Sequence, residues 1–173
     1  VRFDGFGEGQ RYLGSIVVTT DGLGNAVFDQ VLPARTTGGE LITATATDPL
    51  GNTSEFSAAV AAQGIGVIDG VLYVIGTDAA DHVQISLTQD GTQFKVEADF
   101  PVPSNVRFFP ATGVTRIEVR VYGGNDVVQI ARNIVTPALV DGGHGDDILM
   151  TGGGDDTLLG GPGDDFLNAD GGN

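Results

Sequence analysis

The chain has 173 residues, of which 28 are glycine and none cysteine, and its 23 acidic against 8 basic residues leave a formal net charge of −15. Such a charge is repelled by nucleic acid and by anionic membrane surfaces, and makes cations the natural partners. The 40% hydrophobic content is too high for a simple disordered polymer, and no run approaches the roughly 18–20 apolar residues that span a bilayer.

Helical periodicity is almost absent, and short β-rich runs bounded by Gly, Asp, Asn and Pro recur instead. The first strands are predicted at residues 12–20, 26–32, 41–47 and 56–61. Between them stand Asp21-Gly22-Leu23-Gly24-Asn25 and Asp48-Pro49-Leu50-Gly51-Asn52, turn segments whose residues tolerate positive φ. This reads as a β-sandwich module over residues 1–62, too small to be complete. The small, uncharged Val60-Ala61-Ala62-Gln63-Gly64 is expected to be the linker. Further strands are predicted at 70–76, 82–88, 93–100, 106–109, 113–122 and 127–131 within a second region, residues 63–140. Alternation in 114–121 puts Val114, Arg116, Glu118 and Arg120 on one side, and the three charged residues are expected to form a solvated face. Val1 at one end and Gly171-Gly172-Asn173 at the other, in mid-pattern, suggest a piece of a longer chain.

From Gly142 the chain has a period of nine. Gly142-Gly143-His144-Gly145-Asp146-Asp147-Ile148-Leu149-Met150 is followed by Thr151-Gly152-Gly153-Gly154-Asp155-Asp156-Thr157-Leu158-Leu159, then by Gly160-Gly161-Pro162-Gly163-Asp164-Asp165-Phe166-Leu167-Asn168. Position four is always glycine, position six aspartate and position eight leucine. The pattern matches the nonapeptide G-G-x-G-x-D-x-U-x, with U a large apolar residue.

The segment 142–173 resembles the calcium-binding repeats of the repeats-in-toxin (hemolysin-type) family. That resemblance implies a parallel β-roll in which six residues of each repeat form a turn and three a short strand, so that turns eighteen residues apart stack. It implies Ca2+ as the bound ion and a bacterial extracellular or cell-surface setting. Eighteen-residue stacking pairs Asp147 with Asp165, while Asp156 would pair beyond Asn173, leaving that site weak or empty. Carbonyls of Gly143, Gly145, Gly160 and Pro162 would complete the central site if the family's geometry holds. In the first third, Leu13-Gly14-Ser15-Ile16-Val17-Val18-Thr19-Thr20-Asp21 and Ala46-Thr47-Asp48-Pro49-Leu50-Gly51-Asn52-Thr53-Ser54-Glu55-Phe56-Ser57 are similar to immunoglobulin-like tail modules of large secreted bacterial proteins. That likeness implies a spacer or display role.

Electrostatics leads to the same ion independently. Residues 141–173 hold eight aspartates and no Lys or Arg. Carboxylates stacked about 4.8 Å apart repel by roughly 1 kcal/mol per pair in water and about 3.5 kcal/mol at an effective dielectric of 20. Calcium, with six to eight flexible oxygen ligands, offsets that repulsion. Upstream, Gly123-Gly124-Asn125-Asp126-Val127-Val128 repeats the turn-plus-apolar frame twenty-one residues before Asp147, so Asp126 is expected over Asp147. A fainter echo, Gly76-Thr77-Asp78-Ala79-Ala80-Asp81-His82-Val83, suggests that the middle region is a degenerate continuation of one solenoid. Asp81 is read there as a turn residue and not a ligand. Asp146, Asp155 and Asp164 are read as solvated flank, and His82 and His144 as surface residues.

The expected fold is therefore all-β: a partial immunoglobulin-like β-sandwich (1–62), a degenerate β-solenoid (63–140), and a truncated parallel β-roll (141–173). Metal ligands are expected at Asp147, Asp165, Asp156 and Asp126. With no Gly-x-Ser-x-Gly, His-Glu-x-x-His or cysteine, the chain is not expected to be an enzyme. The expected role is calcium-dependent structural support, disordered without the ion, whose partners are calcium and neighbouring domains. The alternative is an adhesin-like surface module directed at extracellular polysaccharide. Exposed clustering of Phe94, Phe100, Phe108, Phe109 and Tyr122 would favour that alternative, and their burial the structural role.

Overall fold

The computed structural model describes residues 11–23, 25–26, 36–54, 57–100 and 105–171. They are all-β, with no helix, and therefore none long and apolar enough to cross a membrane. Two compact units are present: residues 1–36 with 41–60, and residues 37–40 with 61–173.

In the first unit, order comes from carboxylate-closed turns. The Asp48 carboxylate accepts the amides of Leu50 and Asn52 and the side-chain amide of Asn52, and Asp21 closes its turn on Leu23 and Asn25 in the same way. A hairpin across the Asp48 turn is held by the Thr47–Thr53 bridge and by bonds from Ser54 to Ala46 and Ser57 to Ala44. Among the described residues, regular pairing is limited to β1 (Leu41–Ile42) and β2 (Val60–Ala61). Residues 12–20 form no strand, and 26–32 lies outside the described residues apart from Ala26. None of the described apolar side chains of this unit is buried; Val17, Leu41 and Leu50 are exposed. Among the described residues of this unit, 43–47 and 58–61 are rich in Thr and Ala and offer little apolar surface to bury.

The second unit contains two sheets. One has the order β12 (Thr157–Leu159), β10 (Ala138–Asp141), β8 (Arg116–Arg120), β4 (Val71–Ile75), β3 (Gly64–Ile68). The other runs β13 (Phe166–Ala169), β11 (Ile148–Thr151), β9 (Val127–Ile130), β5 (His82–Leu87), β6 (Gln93–Ala98), β7 (Val106–Pro110). From β8 onward, successive strands alternate between the sheets, and β4 and β5 do the same. Each sheet thus carries four parallel neighbours, and the chain makes four circuits: β4–β5, β8–β9, β10–β11 and β12–β13. Antiparallel β3, β6 and β7 extend the sheets at the amino-terminal side.

Register aligns the apolar residues into inward rows: Leu72, Ile117 and Ala138, and Val74, Val119, Val140 and Leu158, on the first sheet. On the other, Val83, Val128, Leu149 and Leu167 align, as do Ile85 and Ile130. Most of these side chains are fully buried in one core, which is where hydrophobic stabilisation concentrates.

Two expectations are corrected. Gly64, read as linker, opens strand β3, and the glycine-rich Gly64–Ile68 pairs with Val71–Ile75 because residues 37–40 lie against it. A Cβ on Gly66 would strike the Thr37 methyl, and one on Gly38 the Gly64 backbone. Glu118 is 9% exposed and not solvated: β8 is an interior strand, and Glu118 lies between Tyr73 and Leu139, ion-paired to Arg120 at 2.6 Å.

Candidate metal centre

The turn leading from the first sheet to the second has six residues in every circuit: 76–81, 121–126, 142–147 and 160–165. The return turns differ. The passage from β5 to β8 contains β6 and β7, that from β9 to β10 is residues 131–137, and that from β11 to β12 is 152–156. Most of the variation in circuit length therefore falls on one edge, and the opposite edge is metered. Asp81, Asp126, Asp147 and Asp165 occupy the last position of the metered turns and form one column, with sequence separations of 45, 21 and 18.

Each carboxylate in the column reaches back one circuit. Asp126 Oδ1 accepts the Asp81 amide at 2.7 Å, Asp147 Oδ1 the Asp126 amide at 2.9 Å, and Asp165 Oδ1 the Asp147 amide at 3.0 Å. Asp81, with no circuit before it, turns on its own loop: Oδ2 accepts the Thr77 amide at 2.7 Å and Oδ1 the Thr77 hydroxyl at 2.9 Å. The neighbouring position shows the reverse sense, Asp146 N donating to Asn125 Oδ1 and Asp164 N to Asp146 Oδ1. From the second turn onward, adjacent turns are thus clasped twice.

The second oxygens distinguish the members. Asp126 and Asp147 are each 1% exposed, and in both Oδ2 is buried without a hydrogen-bond partner. An unsatisfied buried carboxylate oxygen is costly. Burial pushes the Asp126 carboxyl up to about 7, against the lowering effect of the Asp81 amide, and the charge of Asp147 adds to the rise. Burial likewise raises Asp147, with Asp165 adding to it.

Glycine is required where the turns touch. A Cβ on Gly142 would run into Asp147 Oδ2 and lie 2.9 Å from the Gly160 carbonyl oxygen, so those two oxygens border the same space. The carbonyls of Gly143 and Gly145 press on Gly161 and Gly163, both with positive φ, and leave no room for a side chain. The Pro162 carbonyl accepts the Gly145 amide at 3.0 Å. In the second turn the position of Gly143 and Gly161 is taken by Tyr122, with φ of 64°, a conformation that costs a non-glycine residue strain.

Asp156 belongs elsewhere. It lies on the variable edge and reaches back to the amide of Ala138 at 2.9 Å, leaving its own Oδ2 buried and unpartnered. Its partner in this structure is the preceding circuit rather than the following one. Asp81, set aside on sequence grounds, heads the column; the β6–β7 excursion hides its kinship with Asp126. The acidic block also meets a basic residue from outside it, Arg132 with Asp170 at 2.6 Å.

The donor set fits a hard cation. All candidate ligands are carboxylate or carbonyl oxygens, and the unpartnered Oδ2 atoms of Asp126 and Asp147 lie where a cation would satisfy them. Among the described residues no three His, Cys, Asp or Glu side chains converge on one point. Backbone oxygens such as that of Gly160 would therefore have to supply much of any coordination. The aromatic rings do not gather at the surface. Phe94 and Phe100 are buried, Phe109 lies beneath Arg107 at 5.4 Å, and the exposed Phe108 and Tyr122 stand on different elements. Searches of protein-family models, curated proteins and solved structures find no match to this chain.

Proposed function

We propose that the chain is a non-catalytic, calcium-dependent structural module of a secreted or cell-surface protein. In this reading residues 63–140 are a β-solenoid that continues into a parallel β-roll at 141–173. Calcium bound along the aspartate column holds successive circuits together, while residues 1–62 act as an immunoglobulin-like spacer. The observation that carries the reading is the pair of buried, unpartnered carboxylate oxygens on Asp126 and Asp147, in a column without Lys or Arg. Eighteen-residue register and six-residue turns support it as well. The calcium would supply neutralising charge; the chain's residues supply oxygens, and glycines supply the close approach of one turn to the next.

The test is far-ultraviolet circular dichroism with thermal melts in excess calcium, excess magnesium and chelator. A calcium-specific gain in β signal and melting temperature is expected, since binding to the folded state alone adds to its stability. Identical traces in all three buffers would overturn the proposal.

A further inference from the structure

Resting on that reading, we infer that calcium does not fold the whole second unit: residues 64–130 hold their structure without it, and serve as the template on which calcium orders residues 138–171 in one direction.

Apolar burial is divided very unevenly between the two parts. Leu72, Val74, Val83, Ile85, Ile117 and Val119 are each fully buried in the first two circuits, and Phe94, Val96 and Phe100 of the β6–β7 excursion add to the same core. From residue 138 onward only Ala138, Val140 and Leu149 are buried apolar side chains, whereas Ile148, Leu159, Phe166 and Leu167 are 40–56% exposed. The entropy to be overcome runs the opposite way. The metered turns contain one glycine in 76–81, two in 121–126, and three each in 142–147 and 160–165, and each glycine gives up more conformational freedom on ordering than any other residue. For each residue ordered, the early circuits thus bury much more apolar surface than the late ones, whose glycine-rich turns cost more to fix.

The hydrogen bonds add direction. The first turn is closed by its own residues, Thr77 meeting both oxygens of Asp81, and needs neither a neighbour nor an ion. Every later aspartate makes its bond to the amide of the turn before it, so that turn must already be in place. The unpartnered column oxygens begin at Asp126, at the junction of the two parts.

Hydrogen exchange measured by mass spectrometry on the full chain, in calcium and in chelator, tests this directly. Peptides from 65–100 and 117–130 should be equally protected in both buffers, and those from 138–169 protected only in calcium. Loss of protection throughout 64–171 in chelator would overturn the template while leaving the calcium reading intact. No calcium effect on any peptide would overturn both. Two core variants supply a second criterion. Leu149→Ala should raise the calcium midpoint for 138–169 by roughly tenfold or more and leave the chelator-state protection of 65–100 unchanged. Val83→Ala should weaken protection of 65–100 in both buffers. If Leu149→Ala loosened 65–100 in chelator, the two parts would be one cooperative unit and the inference wrong.

Discussion

Asparagine at position 147 should change stability in opposite directions with and without calcium. In Asp147→Asn the carbonyl oxygen still accepts the Asp126 amide and the side-chain volume is kept, but the charge is gone. Asp147 has a carboxylate one strand spacing away on either side, Asp126 and Asp165, about 4.8 Å each. Each repulsion is roughly 0.9 kcal/mol at the dielectric of water and about 3.5 kcal/mol at an effective dielectric of 20. Above pH 7, where the Asp126 carboxyl is ionised as well, removing both lowers the cost of ordering this circuit by about 2 kcal/mol in chelator even at the lower limit. Burial, which already holds the Asp147 carboxyl above its ordinary value, acts in the same sense. In calcium the variant loses an anionic ligand, and affinity should fall by at least the roughly tenfold that loss of even an outer-shell partner costs. Circular dichroism should show more β structure in chelator than the parent chain has. Melts in saturating calcium should show a lower midpoint, by about 2–4 °C for each kcal/mol lost. A shift of the same sign in both buffers would refute the reasoning.

Gly143→Ala should destabilise the calcium form by about 2–5 kcal/mol, combining positive-φ strain with a clash against the Tyr122 carbonyl, whereas Gly113→Ala, at nearly the same φ (89° against 93°) but in open space, should cost only about 1–2 kcal/mol; urea unfolding separates them, and equal losses would contradict the close packing of the turns. Tyr122→Gly relieves the positive φ at that position and should raise the calcium-form midpoint in urea, by up to about 1 kcal/mol of stability; a loss would mean that the ring contributes more than the strain costs. In chelator, the Asp126 carboxyl at about 7 keeps a proton that the unfolded chain has lost above its ordinary value of 3.8. Its contribution is therefore greatest below about pH 4, falls as pH rises towards 7, and is level beyond. Calcium binding should strengthen over that same range as protons stop competing, and parallel pH trends with and without calcium would count against Asp126 as a ligand.

Much of this arrangement was legible in the sequence wherever one residue type recurred at a fixed interval. The nonapeptides gave the eighteen-residue register of Asp147 and Asp165, and the Gly-Asn-Asp of the preceding circuit gave Asp126 its place above them. Short β-rich runs between turn residues, and the alternation in 114–121, located the strands at His82–Leu87, Gln93–Ala98 and Arg116–Arg120 to within three residues. What escaped was set by long-range packing. Gly64 was read as the end of a linker and 65–68 as no strand because the glycines of Gly64–Ile68 suit the backbone and the Thr37 side chain that lie against them, not strand propensity. Ala138–Asp141 is short and borders a proline, and only its neighbours β8 and β12 make it a strand. Asp81 escaped because the β6–β7 excursion separates it from its partner by 45 residues. Glu118 was misread because strand alternation says which side a residue faces, but not whether neighbouring strands cover it.

The uneven lengths of the return turns make the second unit resemble a bound book, stitched along one edge and open along the other. At the stitched edge each leaf must have the same thickness, because every carboxylate has to meet the amide of the leaf before it. At the other edge, where Asp156 reaches back to the Ala138 amide, a leaf can still carry two extra residues or a whole β-hairpin excursion, and the column does not register the difference. New residues can therefore be inserted in the passage from β5 to β8, where a whole excursion already stands, without altering the pitch of the column, whereas a single residue added within 142–147 would put every later aspartate out of step. The same asymmetry tells a protein engineer where this scaffold will accept a graft.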